Sequence, residues 1–242
     1  MKIVGVIPCR YASTRFPGKP LAEIAGKPMM WHVFQRCLKS NVLDEIYIAT
    51  EDERIKKVAE SLNLNVVMTH DNHKTGTDRV AEVAAKIDSD FYVNIQGDEP
   101  LLDSNSIVKV VNALVNCDDQ MVMASNAYAV ISESSDVIDT NVVKVVMSVH
   151  GNTLAYSRQA IPYPKSGKAK YYKQLGLYAF RKSGLQLFSE HKVGHIESVE
   201  GVEMYRLVEY GYHVRMVETK DNSISVDTPD DLKRVIELTI PE

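Results

Sequence analysis

The chain has 242 residues, of which 45% are hydrophobic and 25% charged, so it can bury a full core without disulfide or metal staples. Its net charge of -4 argues against general nucleic-acid binding, and it has no run of about 18 apolar residues that could span a membrane. The three cysteines are widely spaced, and the apolar run at the N-terminus is too short for a signal peptide. We therefore expect a cytoplasmic protein with reduced thiols.

Strand-like and helix-like patterns alternate over the first 120 residues. This order predicts an α/β fold, with a mostly parallel twisted sheet and helices on both faces. The predicted strands are Ile3–Ile7, Ile46–Thr50, Val66–Thr69 and Phe91–Ile95. The predicted helices are Met29–Ser40, Glu53–Leu62, Thr77–Lys86 and Asn105–Val115.

The pattern changes after residue 120 and predicts a strand-rich extension of the sheet, mixed or antiparallel. The segment Pro162–Lys173 carries four lysines, and we interpret it as a solvated loop rather than a phosphate contact. The predicted strands are Met121–Val130, Val142–Val149, Thr153–Tyr156, Leu175–Phe180 and Val214–Val217. The predicted helices are Ser183–Glu190, Val202–Tyr210 and one that begins at Pro229.

A cationic loop, Pro8–Pro20, follows the first predicted strand and carries Arg10, Arg15 and Lys19. Its prolines and glycine exclude a regular helix or a central strand. In open α/β sheets, ligands bind at the carboxyl ends of the strands, which is where this loop begins. The pattern is neither GxxxxGK[ST] nor GxGxxG. We predict a phosphate-binding loop, with a solvated basic loop as the alternative.

Two aspartates are candidate metal ligands. Asp98 lies in QGDEP, directly after a predicted strand and at the same sheet edge as the cationic loop. A carboxylate beside phosphates needs a cation between them, and Mg²⁺ is held by few carboxylates together with substrate phosphates. The alternative for Asp98 is an acidic turn that caps the next segment. Asp227 precedes Thr228 and Pro229, which fit a helix start, so Asp227 is free to be a second ligand.

The segment KTGTDRV, Lys74–Val80, is predicted to be a turn that leads into a helix. Either Thr75 or Thr77 can cap this helix. One interpretation is a capped helix and nothing more; the other adds that backbone N–H groups and Arg79 bind a base or a phosphate. The seven histidines show no metal or triad spacing, and the chain has no nucleophile signature. The predicted chemistry is therefore phosphate positioning with a metal.

Several blocks, in order, resemble one family from about residue 2 to residue 235. It is the family of 3-deoxy-manno-octulosonate cytidylyltransferases, or CMP-KDO synthetases, which is similar to the CMP-sialic acid synthetases and to the wider nucleotidyltransferase (nucleotide-diphospho-sugar transferase-like) fold. The blocks are PCRYASTRFPGKPL, AGKPMMWHV, ATEDERI, KTGTDRVAEVA, NIQGDEPLL, NVVKVV, YSRQAIPY and VDTPDDL.

The resemblance implies that CTP and a 3-deoxy-2-ulosonic acid give a CMP-sugar and pyrophosphate, with Mg²⁺, for lipopolysaccharide or capsule synthesis. On the nucleotide side it implies catalytic and phosphate-binding roles for Arg10, Arg15 and Lys19, and metal-ligand roles for Asp98 and Asp227. It also places Thr77, Arg79 and Gln96 around the nucleotide. On the sugar side it implies that the acceptor is bound by Arg158, Gln174, Tyr178, Glu203 and Met204.

The sugar-side blocks depart from the family. Gln174 stands where the family commonly has histidine, Met204 where it has glutamine, and Tyr205 where it has leucine. Loss of a polar contact in a buried site changes selectivity by a large factor. The acceptor thus stays open between 3-deoxy-manno-octulosonate, a modified relative such as an amino sugar, and another acidic acceptor. A CTP-binding regulator and a sugar-transferring enzyme on a similar fold are the alternatives from other classes.

The sequence shows no linker or repeat, so we predict a single domain over residues 1–242. Within it we expect a CTP-binding half over residues 1–120 and a sugar-binding and dimerisation half over residues 121–242. The resemblance alone implies a homodimer.

Overall fold

The computed structural model describes residues 1–13, 15–220 and 223–239. Its contacts divide the chain into two compact units. The first unit contains Met1–Val108 and residues 223–239, and the second contains Lys109–Lys220. The segment over residues 121–242 is therefore shared between the two units. The functional roles expected of the two halves stay predictions.

The predicted elements occur in the predicted order, with bounds that differ by a few residues, and the described residues add the short strands β2 and β3, which were not predicted. The strands are β1 (Ile3–Pro8), β2 (Glu23–Ile24), β3 (Lys27–Pro28), β4 (Glu45–Thr50), β5 (Val66–Met68), β6 (Phe91–Ile95), β7 (Val122–Val130), β8 (Lys144–Met147), β9 (Thr153–Ser157), β10 (Tyr172–Arg181) and β11 (His213–Glu218). The helices are α1 (Met29–Ser40), α2 (Glu53–Ser61), α3 (Gly76–Lys86), α4 (Ser104–Val115), α5 (Ser134–Ile138), α6 (Lys182–Glu190), α7 (His195–Glu200), α8 (Tyr205–Val208) and α9 (Pro229–Thr239).

The sheet of the first unit is parallel, with strand β1 at its centre. Strand β1 pairs with β4 on one side and with β6 on the other, and β4 pairs with β5. Its residues from Ile3 to Ile7 are buried, as expected of a strand covered on both faces. Since parallel strands end at the same edge, the segments that follow Pro8, Thr50 and Ile95 lie on one side of this unit. The α/β prediction is confirmed.

The second unit contains a mixed sheet, which confirms the predicted strand-rich extension. Strand β7 is antiparallel to β10 and parallel to β11, and β8 is antiparallel to β9 and to β10. The helix predicted over Val202–Tyr210 is wrong in extent, because α8 covers Tyr205–Val208. Helices α5 and α7 have no predicted counterpart; each is short and lacks an extended apolar stripe.

The C-terminal segment packs in the first unit. Val226 and Val235 are fully buried in a core cluster with Ile24 and Met29. Helix α9 begins as predicted, with Thr228 as its N-cap. A further hydrogen bond runs from the Val226 amide to the carbonyl of Asp98 at 2.8 Å. The segment thereby brings residue 227 to the loop after β6.

None of the helices in residues 1–13, 15–220 and 223–239 combines the length and the apolarity needed to cross a bilayer. The three cysteines are free thiols, as predicted.

Candidate active site

A polar pocket opens at the carboxyl edge of the parallel sheet, within the first unit. Its walls come from the end of β1, the cationic loop, the start of α3, the loop after β6 and the segment before α9. The lining residues are Pro8, Arg10, Lys19, Pro20, His73, Lys74, Thr75, Gly76, Arg79, Gln96, Gly97, Asp98 and Asp227. The structure thus brings together most of the residues predicted on the nucleotide side.

The described residues of the cationic loop, 8–13 and 15–20, are held by several contacts. The amide of Tyr11 donates to Glu51 at 3.1 Å, and the amide of Gly18 donates to the Tyr11 carbonyl at 2.9 Å. Gly18 has a φ of 69°, in the left-handed region that glycine adopts without strain. The ring of Phe16 packs against the C-terminal core cluster. These contacts fix the loop, so that Lys19 begins a short 3-10 helix at the pocket wall.

The two candidate metal ligands converge on one ammonium group. Lys19 Nζ donates to Asp98 Oδ2 at 2.6 Å and to Asp227 Oδ1 at 3.2 Å, and it also donates to the Val226 carbonyl at 3.1 Å. The Arg15 guanidinium pairs with Asp227 at 3.0 Å, although Arg15 does not line the pocket. The described side-chain bonds of Asp98 thus go to Lys19, which disfavours the capping alternative.

This donor set fits a Mg²⁺ ion. Two carboxylates and a carbonyl surround a single cationic group, so their arrangement already suits a positive charge. Among the described residues, no cluster of three or more His, Cys, Asp or Glu side chains could hold a metal. Two carboxylates are nonetheless what Mg²⁺ uses where substrate phosphates complete its shell.

The loop after β6 reaches the pocket because Gly97 allows a close approach. An added Cβ at Gly97 would lie 2.7 Å from the Pro8 carbonyl and 3.0 Å from Cys9 Sγ. Any side chain here would separate the ends of β1 and β6. Gly97 therefore lets Gln96 and Asp98 stand beside the cationic loop.

Helix α3 begins in a capping box. Thr75 Oγ1 accepts from the Asp78 amide at 3.1 Å, and Asp78 Oδ2 accepts from the Thr75 amide at 3.0 Å. Of the two threonines considered from the sequence, Thr75 is the cap. Thr77 is fully buried, accepts a hydrogen bond from Asn94 at 3.1 Å and does not line the pocket. Its predicted contact with the nucleotide stays a prediction, which its burial does not favour.

Arg79 lines the pocket, but it is only 5% exposed and its guanidinium is bound by neighbouring side chains. Its guanidinium pairs with Glu51 at 2.8 Å and donates to Thr69 Oγ1. Glu51 also holds the Tyr11 amide, so one carboxylate links the cationic loop to α3. The sequence analysis missed Glu51, although it follows directly on a strand end.

His73 also lies on the pocket wall, which the spacing of the histidines in the sequence did not indicate. Its ring pairs with Glu82, which also accepts from Lys86 Nζ at 2.6 Å and from the His70 amide at 2.9 Å. Burial by itself raises the pKa of Glu82. The bonds from Lys86, His73 and His70 outweigh burial and lower this pKa to about 2.

The charge of the lining is positive on balance. It contains the cations Arg10, Lys19, Lys74 and Arg79 and two aspartates. Arg10 and Lys74 are exposed and have no hydrogen bond or ion pair with any described residue. The pocket can therefore bind a polyanion such as a polyphosphate.

The residues predicted on the sugar side all lie in the second unit. Gln174 Nε2 donates to the hydroxyl of Tyr178 at 3.2 Å, and Arg158 is partly exposed at the end of β9. Glu203 is partly buried just before α8. Met204 has no exposed surface, so direct contact with a sugar stays a prediction that its burial does not favour.

Comparison with known proteins gives concordant matches. A family model described as cytidylyltransferase matches residues 4–220. The chain is 42% identical to the 3-deoxy-manno-octulosonate cytidylyltransferase of Geobacter metallireducens, over 98% of this chain and 97% of that one. It is 44% identical to the protein of that name from Solibacter usitatus, over 98% and 94%.

Two solved structures are also similar. That of CMP:2-keto-3-deoxy-manno-octonic acid synthetase complexed with CTP superposes with a TM-score of 0.93 and 36% identity, over 99% of this chain and 98% of that one. A cytidylyltransferase from Leptospira borgpetersenii has a TM-score of 0.64 at 15% identity, over 98% of this chain and 85% of that one, and is similar in fold alone.

Proposed function

The chain belongs to the cytidylyltransferase family, and on that premise we propose that it transfers CMP from CTP to the anomeric hydroxyl of a 3-deoxy-2-ulosonic acid, with release of pyrophosphate. The observation that carries this proposal is the pocket at the sheet edge. Arg10 and Lys74 line it without a partner among the described residues, and Asp98 and Asp227 in the same lining converge on the Lys19 ammonium. A bound triphosphate would supply the negative charge that balances Arg10 and Lys74. The transfer needs positioned charge and no protein nucleophile.

The nucleotide phosphates are bound mainly by Arg10 and Lys74, which line the pocket and have no partner among the described residues. Lys19 lines the same pocket beside Asp98 and Asp227. Gln96 and Arg79 are less exposed than Arg10 and Lys74 and contact the nucleoside side. Because Arg79 is already anchored by Glu51, it meets the ligand with little loss of conformational entropy.

Asp98 and Asp227 are the residues that hold Mg²⁺. When bound there, the ion would polarise the α-phosphoryl oxygen and lower the pKa of the attacking hydroxyl. Lys19, which donates to both carboxylates, would keep them oriented toward the ion.

The anomeric oxygen forms a bond to the α-phosphorus, while the bond from that phosphorus to the bridging oxygen of the β-phosphate breaks. The electron pair leaves with pyrophosphate, and the hydroxyl proton is released. The charge that builds up on the leaving pyrophosphate would be stabilised by Lys19, which lines the pocket, and by Arg15, which pairs with Asp227 next to it. The protein contributes orientation and charge.

The acceptor is recognised by Arg158, Gln174, Tyr178 and Glu203, with Met204 in a packing role. A modified octulosonate is a second candidate acceptor, because Gln174 is already engaged with Tyr178 and cannot carry the charge of the histidine common in the family. A panel of acceptors separates the candidates: efficient turnover of plain 3-deoxy-manno-octulosonate would remove the second one.

The decisive test is the variant Asp98→Asn, measured by pyrophosphate release with CTP, Mg²⁺ and the acceptor. We expect turnover to fall at least about 100-fold, as when a charge-stabilising group is removed from an active site. Asp118→Asn is the matched control, because Asp118 is exposed and lies outside the pocket. Full turnover by Asp98→Asn would contradict the proposal. Wild-type protein that binds CTP without releasing pyrophosphate would indicate a regulator instead.

We also propose a homodimer, a cytoplasmic location and a role in lipopolysaccharide or capsule synthesis. All three extend the family resemblance to this chain. Sedimentation of the purified protein tests the first, with a monomer as the contrary result.

A further inference from the structure

Lys144 is a fully buried lysine in the second unit, and its ammonium has no ion pair with a carboxylate among the described residues. Its ammonium donates to three main-chain carbonyls: Asp139 at 2.8 Å, Val142 at 2.6 Å and Arg158 at 2.5 Å. An ammonium has three N–H donors, so all of them are used. Burial lowers the pKa of Lys144, but the carbonyls compensate for the loss of water around the charge.

The Lys144 ammonium links residues 139–142 to the main chain of Arg158. The Arg158 side chain makes a second link between the same two stretches. Arg158 Nη1 donates to the Thr140 carbonyl at 2.8 Å, and Nε donates to the Glu200 carbonyl at 2.7 Å. Arg158 Nη2 makes no hydrogen bond with any described residue, so this edge of the guanidinium can donate to a ligand. The carbonyls of Thr140 and Glu200 together set the direction in which that edge points.

The strand that leads to Arg158 is held at a second place by Tyr205. The Tyr205 hydroxyl accepts from the Tyr156 amide at 2.9 Å and donates to the Tyr156 carbonyl. Strand β9 pairs only with β8 among the described strands, so these groups lie on its free edge. Tyr205 is 5% exposed, and its ring packs edge to face against that of Tyr156, with 5.7 Å between the ring centroids. A leucine here, common in the family, offers no such bonds.

We infer that Lys144 and Tyr205 are positioning residues for the acceptor: they hold the end of β9 so that Arg158 presents its free guanidinium edge to the sugar acid. This inference rests on the proposed role of Arg158 in acceptor binding. Neither residue touches the acceptor. Lys144 fixes the main chain of Arg158 against residues 139–142, and Tyr205 fixes the preceding strand.

The test compares Lys144→Met and Tyr205→Phe with wild type by steady-state kinetics, with Arg158→Ala as the reference. Lys144→Met keeps the aliphatic volume and removes the three donors. We expect the KM of Lys144→Met for the acceptor to rise about 10- to 100-fold. The reason is that a displacement of Arg158 by about 1 Å can weaken its contribution by up to about 100-fold. The KM for CTP should stay within a factor of about two. Tyr205→Phe should raise the acceptor KM by a smaller factor, since one of several supports is lost.

Lys173→Met is the matched control, because Lys173 lies directly across from Lys144 on β10 and its ion pair among the described residues is with Asp136. Hydrogen exchange provides a readout that does not depend on turnover. Peptides over residues 139–142 and 156–158 should lose protection in Lys144→Met, while the rest of the unit keeps it.

The outcomes separate the inference from the proposed function. If Arg158→Ala leaves the acceptor KM unchanged, the proposed role of Arg158 fails and the inference falls with it. If Arg158→Ala raises that KM while Lys144→Met and Tyr205→Phe do not, the inference alone is overturned. If Lys144→Met does not fold, Tyr205→Phe decides: a higher acceptor KM at unchanged CTP KM supports the inference, and wild-type values overturn it.

Discussion

At the scale of single residues, the cations of the pocket differ in their partners. Lys19 and Arg79 are paired with carboxylates, whereas Arg10 and Lys74 have no partner among the described residues. A paired cation is oriented but largely neutralised, and an unpaired one attracts an anion. Orientation and attraction are thus supplied by different side chains.

Glu82 supports the pocket through His73 and gives a pH-dependent prediction. Folding lowers its pKa from about 4.3 to about 2. The carboxylate therefore stabilises the fold above about pH 5 and loses this contribution as the pH falls toward 2. We expect Glu82→Gln to lower the free energy of unfolding by roughly 2–3 kcal/mol at pH 7 and by about half of that at pH 3.

Urea unfolding at the two pH values measures this difference. Glu60→Gln is the control, because Glu60 is exposed on α2 and should show no such loss. An equal loss for Glu82→Gln at pH 7 and pH 3 would mean that the ionised carboxylate is not the source of the stabilisation.

At the scale of elements, the first turn of α3 forms one wall of the pocket. Thr75 and Gly76 line it, and the capping box between Thr75 and Asp78 holds this turn in place. The bond from Asn94 to Thr77 ties the same turn to β6. Local capping and the geometry of the site are therefore linked.

We expect Thr75→Ala to lower the free energy of unfolding by about 1 kcal/mol, as for other lost N-caps. It should also raise the KM for CTP, because Thr75 and Gly76 line the pocket and the capping box no longer holds their turn in place. Asp52→Ala is the matched control: Asp52 caps α2 through the Arg54 amide and does not line the pocket. Asp52→Ala should lower the free energy of unfolding by a similar amount and leave the KM for CTP unchanged. Equal KM values in both variants would argue against the link.

At the scale of the whole molecule, residues that are far apart in the sequence meet in the pocket. Asp98 and Asp227 share the Lys19 ammonium although the entire second unit lies between them in sequence. The return of the C-terminal segment depends on the burial of its apolar side chains beside Ile24 and Met29. Part of the candidate metal site is therefore placed by a hydrophobic core.

Val235 tests how firmly this segment is held. It is fully buried on α9, and Val235→Ala should lower the free energy of unfolding by about 2 kcal/mol through lost burial and a cavity. On the same helix, Leu238 is 65% exposed, so Leu238→Ala should change it by less than about 0.5 kcal/mol. Thermal and urea unfolding measure both variants. Equal effects would show that α9 is not packed as described.

The prediction of elements from the sequence succeeded where the apolar pattern is long and regular. Helix α1 begins and ends at the predicted residues, because its buried side chains recur over three turns. Helices α5 and α7 have five and six residues, too few for a periodic pattern to stand out. The start of α9 was predicted because capping depends on neighbouring residues alone.

The sequence alone determined the family, the cationic loop, the carboxylates after β6 and before α9, and the α/β architecture, because each depends on local patterns or on blocks in chain order. The tertiary structure decided which charges meet. It paired Lys19 with both aspartates, buried Thr77, placed His73 on the pocket wall and turned Lys144 inward. Such pairings join residues far apart in the chain, and their energies depend on distance and burial, which no local pattern encodes.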